Sequence, residues 1–398
     1  MSVCGLFAGI GGLEVGLAAA DFHAGFFCES DPDAAAVLRH RFPGVEVHPD
    51  VLQLEHLPAC EVVTAGFPCQ DLSMAGSKVG ISGERSGLVT RMFSLLETMP
   101  TPPRWLVIEN VPYMLSLGRG EAMDFLTSEM ERLGYRWAYR VVDARAFDVP
   151  QRRIRVVLVA SQTDDPKDVL FGTATVPELN DSTDVDDPTR AHGFYWTEGK
   201  RGLGWTVDGV PTIKGGSTIG IPSPPAIWDR PGGGLIGLPD IRDLERMQGF
   251  APDWTEAARS RQRWRLVGNA VCVKVTEWLG QCLLAPPGFN AELKPANPKR
   301  RWPKAASGGP GQVTMEVLTS PWPVAPAERM PLHRFLEYPL RPLSPRATRG
   351  YLSRTAQATT LNFPPKFLDA LQTHLETVEQ HLSVPVPEPT REKLRATA

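Results

Sequence analysis

The sequence predicts an α/β protein, with a doubly wound, mostly parallel sheet joined to a small, loop-rich domain that contains short strands. Over the first 160 residues, short β-rich runs alternate with helical patterns, which is typical of βαβ units. Glycine-rich sequence then interrupts the alternation, and helical periodicity returns near residue 241. A doubly wound sheet binds its ligands at the carboxyl ends of the strands, so the loops after the predicted strands are candidate functional segments.

Each predicted strand is a short apolar run, and each predicted helix carries apolar residues at helical spacing. Strands are expected at residues 3–7, 25–29, 61–65, 105–109 and 154–160. Helices are expected at 13–20, 33–41, 87–99, 120–133, 241–248 and 271–284, with one amphipathic helix at 368–382. Asp31-Pro32 supports the second helix, because proline is tolerated in a first helical turn.

Composition divides the chain into the stretches 1–160, 161–240, 241–284 and 285–398. The second stretch opens with an acidic segment, 162–189, which is expected to be a solvated connector because its carboxylates lack metal-binding spacing. It continues with a glycine-rich segment, 190–238. The last stretch carries 15 Lys+Arg against 9 Asp+Glu and 18 of the 38 prolines, so its organisation differs from that of the preceding residues.

Composition also excludes several classes of protein. No run of 18 apolar residues occurs and the N-terminus lacks a signal-peptide pattern, so we expect no membrane association and a cytoplasmic location. The six cysteines lack paired metal-type spacing, so we expect free thiols and no metal site. The net charge is −3, so a nucleic acid would have to meet a local basic patch.

Phe67-Pro68-Cys69-Gln70 is the most informative motif of the chain. It follows the apolar run 62–65 and Gly66, so Cys69 is expected in a loop just past the carboxyl end of a strand. A thiol in that position can act as a nucleophile when a neighbouring group or an activated substrate assists it. Taken alone, Cys69 is better explained as a small buried hydrophobic residue, and only its surroundings favour the nucleophile.

A glycine-rich loop, Phe7-Ala8-Gly9-Ile10-Gly11-Gly12, follows the first predicted strand and opens a helix. Such a loop lets backbone N–H groups approach a ligand. Glu14 stands where the dinucleotide fingerprint requires a third glycine, which favours a cofactor without phosphates. Glu29 and Asp50-Val51 end the next two β-like runs, and Glu29 has the spacing of a ribose-binding acid. A tight turn with two surface acids is the alternative that the glycines alone leave open.

Further candidates lie at other strand ends. Glu109 ends the buried run 105–109, where it could act as an acid or simply bond a loop backbone. Arg153 and Arg155 share one face of the next strand, an arrangement that requires an anion or carboxylate partner. Asn269 is expected to begin a late helix as its N-cap. Upstream of it, arginines recur at every second residue and could contact phosphates or form a solvated face: Arg259, Arg261, Arg263 and Arg265.

The order and spacing of these motifs resemble the DNA cytosine-5 methyltransferases. The resemblance covers residues 1–284 and rests on FAGIGG, an acid after the second strand, GFPCQ, ENV, QRRIRV, RMQGF and GNAV. It implies the fold of the S-adenosylmethionine-dependent methyltransferases, with S-adenosylmethionine as cofactor. Family members often have an aromatic or aliphatic residue directly after the ribose-binding acid, and this chain has Ser30 there.

The resemblance also implies roles for individual residues. Cys69 would be the nucleophile, Glu109 the partner of the target cytosine, and Arg153 and Arg155 supports for the reacting base. Phe67 and Gln70 would contact the substrate beside Cys69. The cofactor site would be lined by Phe7, Gly9, Gly11, Glu29, Asp50, Val51, Pro68 and Asn269.

The resemblance assigns residues 1–160 and 241–284 to the catalytic domain and 161–240 to a target-recognition insert. The role of the extension 285–398 stays open. Expected partners are double-stranded DNA and a restriction endonuclease that acts on the same site. The expected location is the cytoplasm of a prokaryote, close to the nucleoid. A tRNA cytosine-5 methyltransferase and a catalytically silent DNA-binding regulator are the alternatives. Candidate DNA contacts are Lys200, Arg201, Thr212 and Lys214.

Overall fold

The computed structural model describes residues 1–68, 87–172, 187–200, 202–216, 222–297, 302–325, 329–364 and 366–383. Cys69, Gln70 and Arg201, three of the predicted site residues, lie outside these ranges. Half of the acidic segment 162–189, residues 173–186, also lies outside them. No helix in the described part of the chain has the length and apolar character needed to cross a membrane.

A large mixed sheet forms the centre of the described structure. Its first five strands along the chain are mutually parallel where they pair, in the order β3-β2-β1-β4-β5. They are β1 (Ser2–Leu6), β2 (His23–Cys28), β3 (Glu46–His48), β4 (Val62–Ala65) and β5 (Trp105–Asn110). The sheet continues past β5 with antiparallel pairs, through β8 (Ile154–Ser161) to β6 (Arg136–Asp143).

Helices cover both faces of this sheet, as the doubly wound prediction requires. Leu13 and Leu279 pack on one face, while Phe93 and Leu126 pack on the other. The helices of the first part of the chain are α1 (Gly12–Ala18), α2 (Pro32–Arg41), α3 (Gly87–Glu97), α4 (Glu121–Arg132) and α5 (Pro166–Leu170). The return segment contributes α6 (Ile241–Met247), α7 (Ser260–Asn269) and α8 (Val273–Leu284). The predicted α/β class is therefore confirmed.

Strand β6 has no counterpart among the predicted strands. Arg140 lies in its middle and is fully buried, and such a residue masks the strand pattern because arginine is rarely buried. Its guanidinium donates hydrogen bonds to the carbonyl oxygens of Leu170 and Ser320, each at 2.7 Å. The second of these partners belongs to the C-terminal stretch.

The C-terminal stretch completes the large sheet. Strand β15 (Ala305–Gly308) pairs antiparallel with β6, and β16 (Met315–Leu318) and β14 (Glu292–Pro295) follow it outward. Trp302 is buried against Trp137 of β6, with ring centroids 5.8 Å apart. The first part of the extension, through β16, is therefore part of the main core.

A smaller antiparallel sheet has the order β10-β9-β12-β13-β17. Its strands are β9 (His192–Phe194), β10 (Thr206–Val207), β12 (Ala226–Asp229), β13 (Leu235–Leu238) and β17 (Arg341–Pro342). Two late helices, α10 (Pro345–Thr355) and α11 (Phe367–Ser383), pack on it through Tyr351, Phe367 and Leu371. A short helix, α9 (Leu332–Phe335), precedes them. We call this sheet with α10 and α11 the small domain.

The predicted boundaries need two corrections. Residues 161–172, placed in the second stretch, lie against the large sheet, because α5 packs on β6 and on α8. The helix expected at 271–284 begins only at Val273, and a separate helix, α7, ends at Asn269. Between the two sheets, β7 (Gln151–Arg152) pairs in parallel with β11 (Val210–Pro211).

Glu14, the residue that breaks the dinucleotide fingerprint, ties α1 to the sheet. Its side chain is almost fully buried, and its Oε1 accepts a hydrogen bond of 2.6 Å from the hydroxyl of Thr64 in β4. A Cβ atom at Gly5 of β1 would lie 2.5 Å from the same oxygen, so only glycine leaves room for this carboxyl. Burial raises the pKa of Glu14 to about 7.

This burial predicts a measurable pH dependence of stability. Between the ordinary pKa of 4.5 and about 7, the folded state retains a proton on Glu14 that the unfolded chain has lost. The free energy of unfolding should therefore fall as pH rises through this window, by about 3 kcal/mol relative to a Glu14→Gln variant. Urea unfolding of both proteins between pH 4.5 and 8 measures the difference. Parallel stability curves across the window would contradict a buried, protonated Glu14.

Candidate active site

One cavity of about 460 Å³ opens at the carboxyl edge of the parallel strands. The ends of β1, β2, β4 and β5 all contribute to it, as expected for an open α/β sheet. The start of α1 and the segment from α7 to α8 close the other side. Predicted site residues that line it are Phe7, Gly9, Glu29, Asp50, Val51, Phe67, Pro68, Glu109, Arg155 and Asn269.

The glycine-rich loop forms one wall of this cavity. Gly9 and Gly11 adopt φ of 58° and 82°, which favours glycine, and even Phe7 has φ of 54°. A Cβ atom at Gly11 would also lie 2.7 Å from the ring of Phe42. Gly11 precedes the first turn of α1, so the free backbone N–H groups of that turn lie beside the cavity.

Glu29 follows the end of β2 and is held by this loop. Its Oε2 accepts a hydrogen bond from the backbone N–H of Gly9, and its Oε1 accepts one from that of Asp31, both at 2.7 Å. Burial raises the pKa of Glu29, while the two N–H bonds oppose the shift. Each oxygen can accept a second hydrogen bond, so the carboxyl is suited to binding a pair of hydroxyl groups.

The arginines of α7 neutralise carboxylates of the protein. The Arg259 guanidinium lies 2.6 Å from the Asp33 carboxylate, and the Arg263 guanidinium lies 3.1 Å from the Glu245 carboxylate. These ion pairs involve two of the four alternating arginines. Arg265 lies 2.6 Å from Asp31, and both of these side chains line the cavity beside Ser30. The alternating arginines thus belong to α7 and its N-cap, and Arg265 is the member of the set that lines the cavity. Nothing in the sequence indicated that Arg265 would reach the cavity.

Glu109 and Arg155 form an ion pair at the far end of the cavity. Glu109 lies near the end of β5 with 9% exposure, and Arg155 lies on the neighbouring β8. The Nε atom of Arg155 is 3.0 Å from Oε1 of Glu109. That contact lacks hydrogen-bond alignment, and Oε1 has no hydrogen-bond partner among the described residues. The carboxyl is therefore oriented by a cation and retains a site for a further partner.

Arg153 occupies a different position from Arg155. It is 2% exposed, and its guanidinium donates to the carbonyl oxygens of Ile213, Gly268 and Ala270. Burial lowers the pKa of Arg153 to about 9. It shares only a small cavity behind the ion pair with Glu109 and Arg155. Arg153 thus supports the site from within the fold, as a link between three segments.

The segment that leads to Cys69 is fixed by Asn110. The side-chain amide of Asn110 donates a 3.0 Å hydrogen bond to the carbonyl oxygen of Phe67, two residues before Cys69. Phe67 also contacts Phe7 edge-on, with ring centroids 6.1 Å apart. Pro68 lines the cavity, so the described chain approaches Cys69 at the same cavity as Glu109. The ENV motif contained Asn110, but the sequence did not reveal its role.

Asn269 lines the cavity from the end of α7, which corrects its predicted position at a helix start. The reason is local. The backbone of Lys214 and Gly215 packs on Gly268 so closely that a Cβ there would lie 2.3 Å from the Lys214 carbonyl carbon. The loop after β11 therefore fixes this turn and the chain restarts its helix only at Val273.

The described candidate DNA contacts have different surroundings. Lys200 is exposed, with its Nζ 3.5 Å from Oε1 of Gln357. The hydroxyl of Thr212 donates a 2.7 Å hydrogen bond to the carbonyl oxygen of Arg152. The proton of this hydroxyl is therefore already used in a bond within the protein. Lys214 forms a 2.5 Å ion pair with Glu198 and lies over the ring of Tyr195. No cluster of three potential metal ligands occurs among the residues that the structure describes.

Comparison with known proteins agrees with this architecture. The family model for C-5 cytosine-specific DNA methylase matches residues 1–193. Type II methyltransferase M2.BsuMI of Bacillus subtilis (strain 168) is 48% identical over 94% of this chain and 97% of its own length. Type II methyltransferase M.PspPI of Psychrobacter sp. (strain TA137) is 26% identical over 71% of this chain and 79% of its own length.

A solved structure shows the same fold. The S. pombe Dnmt2 methyltransferase aligns with a TM-score of 0.52 and 18% identity, over 73% of this chain and 100% of that one. The sheet thus has the fold of the α/β methyltransferases. Within that class, the chain belongs to the C-5 cytosine-specific DNA methylase family, and it is a DNA cytosine-5 methyltransferase of restriction–modification type.

The interior position of Arg153 generates a prediction about stability. Arg153→Ala removes the partner of three buried carbonyl oxygens, so it should lower the free energy of unfolding by about 3 kcal/mol or more. Arg132→Ala is the control, because Arg132 pairs with Glu97 on the exposed surface, where water screens the pair and its loss should leave stability nearly unchanged. Urea unfolding measures both. Equal midpoints for the two variants would show that Arg153 is not a structural link.

Proposed function

We propose that the enzyme transfers a methyl group from S-adenosylmethionine to C5 of a specific cytosine in double-stranded DNA, through transient attack of Cys69 on C6. One observation carries the proposal. The glycine loop and Glu29, the Glu109–Arg155 ion pair, and the chain leading into Cys69 all meet at one cavity. A methyl donor and a reacting base must come together in this way, because the transfer is direct.

The cavity fits the proposed cofactor. Its volume of about 460 Å³ is that of a small-molecule site. Glu29 offers both carboxyl oxygens to ribose hydroxyls, and Val51 and Phe7 offer apolar surface to an adenine ring. Arg265 and its partner Asp31 lie beside Ser30, where they would cover the side of the ring that an aromatic residue covers in many relatives. When bound, S-adenosylmethionine supplies a methyl group on a sulfonium, which is a strong electrophile.

The proposed chemistry assigns each residue a task. The Cys69 thiolate forms a bond to C6, which makes C5 enamine-like and nucleophilic. Glu109 shares a proton with N3 and stabilises the charge that develops on the ring. Arg155 holds the Glu109 carboxyl in place from the neighbouring strand. After C5 takes the methyl group, a base removes the C5 proton, the electron pair re-forms the C5–C6 double bond, and Cys69 leaves.

The substrate must be brought to this cavity. A stacked base pair hides C6 from a thiol, so we propose that the target cytosine is flipped out of the duplex. The small domain and the loop after β11 would read the flanking DNA through Lys200, Arg201, Thr212 and Lys214. A restriction endonuclease that cleaves the same site is the proposed cellular partner, because the relatives that match are named type II methyltransferases.

The two alternatives are less well supported. The match to the 48% identical relative covers 97% of that protein, which is named a type II methyltransferase. This supports DNA over tRNA as the substrate. A catalytically silent regulator would have no chemical need for a partly unpaired Glu109 held by Arg155. Comparing labelling of duplex DNA and of tRNA separates the first alternative, and exclusive labelling of tRNA would overturn the choice of DNA.

Covalent trapping tests the role of Cys69. In DNA with 5-fluorocytosine at the target position, no proton can leave C5 after methyl transfer, so the bond to Cys69 should persist. We expect a denaturation-resistant complex with the wild-type enzyme and none with Cys69→Ser. Cys282→Ser is the control, since Cys282 is buried in α8 and does not line the cavity. Methylation by Cys69→Ser at the wild-type rate would refute the proposed nucleophile.

Substitution of Glu109 tests the second catalytic role. Glu109→Gln preserves the shape of the side chain but removes the proton exchange with N3, so kcat should fall about 100-fold or more. Binding of S-adenosylhomocysteine, measured by calorimetry, should stay within about twofold, because Glu109 lies on β5 and Glu29 follows β2, three strands away in the sheet. A variant with unchanged kcat would show that this carboxyl takes no part in the reaction.

A further inference from the structure

The C-terminal stretch holds a loop of the small domain, residues 196–200, in a fixed position. Arg354 of α10 donates two hydrogen bonds to backbone carbonyl oxygens of this loop, from Nε to Glu198 and from Nη2 to Trp196, each at 2.7 Å. A guanidinium donates several hydrogen bonds from one rigid plane, so both carbonyl groups are fixed together. The 196–200 loop therefore depends on a residue more than 150 positions later in the chain.

Packing reinforces these hydrogen bonds. Gly199 has φ of 102°, and a Cβ atom there would lie 2.8 Å from the ring of Tyr351 in the same helix. Lys200 lies 3.5 Å from Gln357, just beyond the end of α10. On its other side, the loop is fixed by a 2.9 Å hydrogen bond from the Trp196 indole to the carbonyl oxygen of Pro224.

The 196–200 loop is connected to the active-site cavity by direct contacts. Glu198 forms its 2.5 Å ion pair with Lys214. The next residue, Gly215, packs against Asn269 so closely that a Cβ would lie 2.0 Å from the amide oxygen. Asn269 itself lines the cavity that contains Glu109. The loop is thus linked to the wall of this cavity through Lys214, Gly215 and Asn269.

The charges of this loop are compatible with binding to a DNA backbone. Lys214 neutralises Glu198, the acidic residue of the loop, while Lys200 remains exposed at its end. A phosphate that approaches the loop therefore meets a cation without an opposing free carboxylate. The family model matches residues 1–193 only, so neither the loop nor Arg354 belongs to the matched part.

We propose that Arg354 is a positioning residue for DNA binding: it fixes the 196–200 loop so that Lys200 contacts the DNA backbone beside the target cytosine. The inference rests on the proposed function, because it assigns DNA to this side of the cavity. The C-terminal stretch then acts on substrate binding through the loop, without touching the cofactor or the reacting base.

Steady-state kinetics of the full-length enzyme test this role. The probe is plasmid DNA from a host without cytosine methylation, with labelled S-adenosylmethionine as donor. Arg354→Ala should raise KM for this DNA about tenfold and leave kcat within about twofold, because two charge-assisted hydrogen bonds are lost. Arg354→Lys, which can reach one carbonyl, should give an intermediate KM. Arg349→Ala is the matched control, since Arg349 of α10 pairs with Glu379 on the surface.

A second variant and a second readout keep the test decisive. Gly199→Ala places a methyl group against Tyr351 and should raise KM for DNA in the same way, even if Arg354→Ala does not fold. S-adenosylhomocysteine affinity, measured by calorimetry, should be unchanged in both variants. An unchanged KM in either folded variant would overturn the proposal. So would weakening of DNA and cofactor binding by the same factor, which marks a purely structural role.

Failure of the proposed methyltransferase function would give a different result from failure of the role proposed for Arg354. In that case the wild-type enzyme itself would not label the plasmid DNA. Equilibrium binding of the same DNA, measured by fluorescence anisotropy without cofactor, then tests the loop by itself. Weaker binding by Arg354→Ala than by Arg349→Ala supports the positioning role, and equal binding overturns it.

Discussion

The buried guanidinium of Arg153 is the interaction on which the rest of the site depends. Its three carbonyl partners belong to two other parts of the chain, namely Ile213 after β11 and the turn of Gly268 and Ala270 between α7 and α8. Arg153 itself precedes β8, the strand that carries Arg155. One planar cation therefore holds β8, the loop after β11 and the cavity wall between α7 and α8 in register. Removing it would release three segments together, since buried carbonyl groups need partners.

The sequence predicted those parts of the site that follow from strand ends. Phe7, Glu29, Pro68 and Glu109 each end or follow an apolar run, and parallel strands bring their carboxyl ends to one edge. Arg155 was recognisable because two arginines at the entry of a buried strand require a partner. The position of Cys69 along the chain follows from the same reasoning, although the residue lies outside the described ranges.

The remaining features depend on contacts between distant segments, which leave little local signal. Strand β6 was not predicted because its central residue, Arg140, is a charged residue in a buried strand. Its burial depends on hydrogen bonds to the carbonyl oxygens of Leu170 and Ser320, which the sequence of the strand does not contain. Asn269 suits an N-cap, yet the approach of Lys214 to Gly268 ends one helix there and delays the next. The C-terminal strands are four residues or fewer, and β15 and β17 pair with strands far away in sequence, so periodicity could not identify them.

The position of β17 has a consequence for synthesis of the protein. Leu238 and Gly237 of β13 pair with Arg341 and Pro342, about 100 residues later in the chain. The glycine loop and Glu29, by contrast, lie within the first 30 residues. During translation, domains generally fold from the N-terminal end as the chain emerges. The cavity wall at residues 265–271 and the last strands of the large sheet also precede β17 in the chain. A nascent chain would therefore complete its cavity before the small domain acquires its last strand and covering helices.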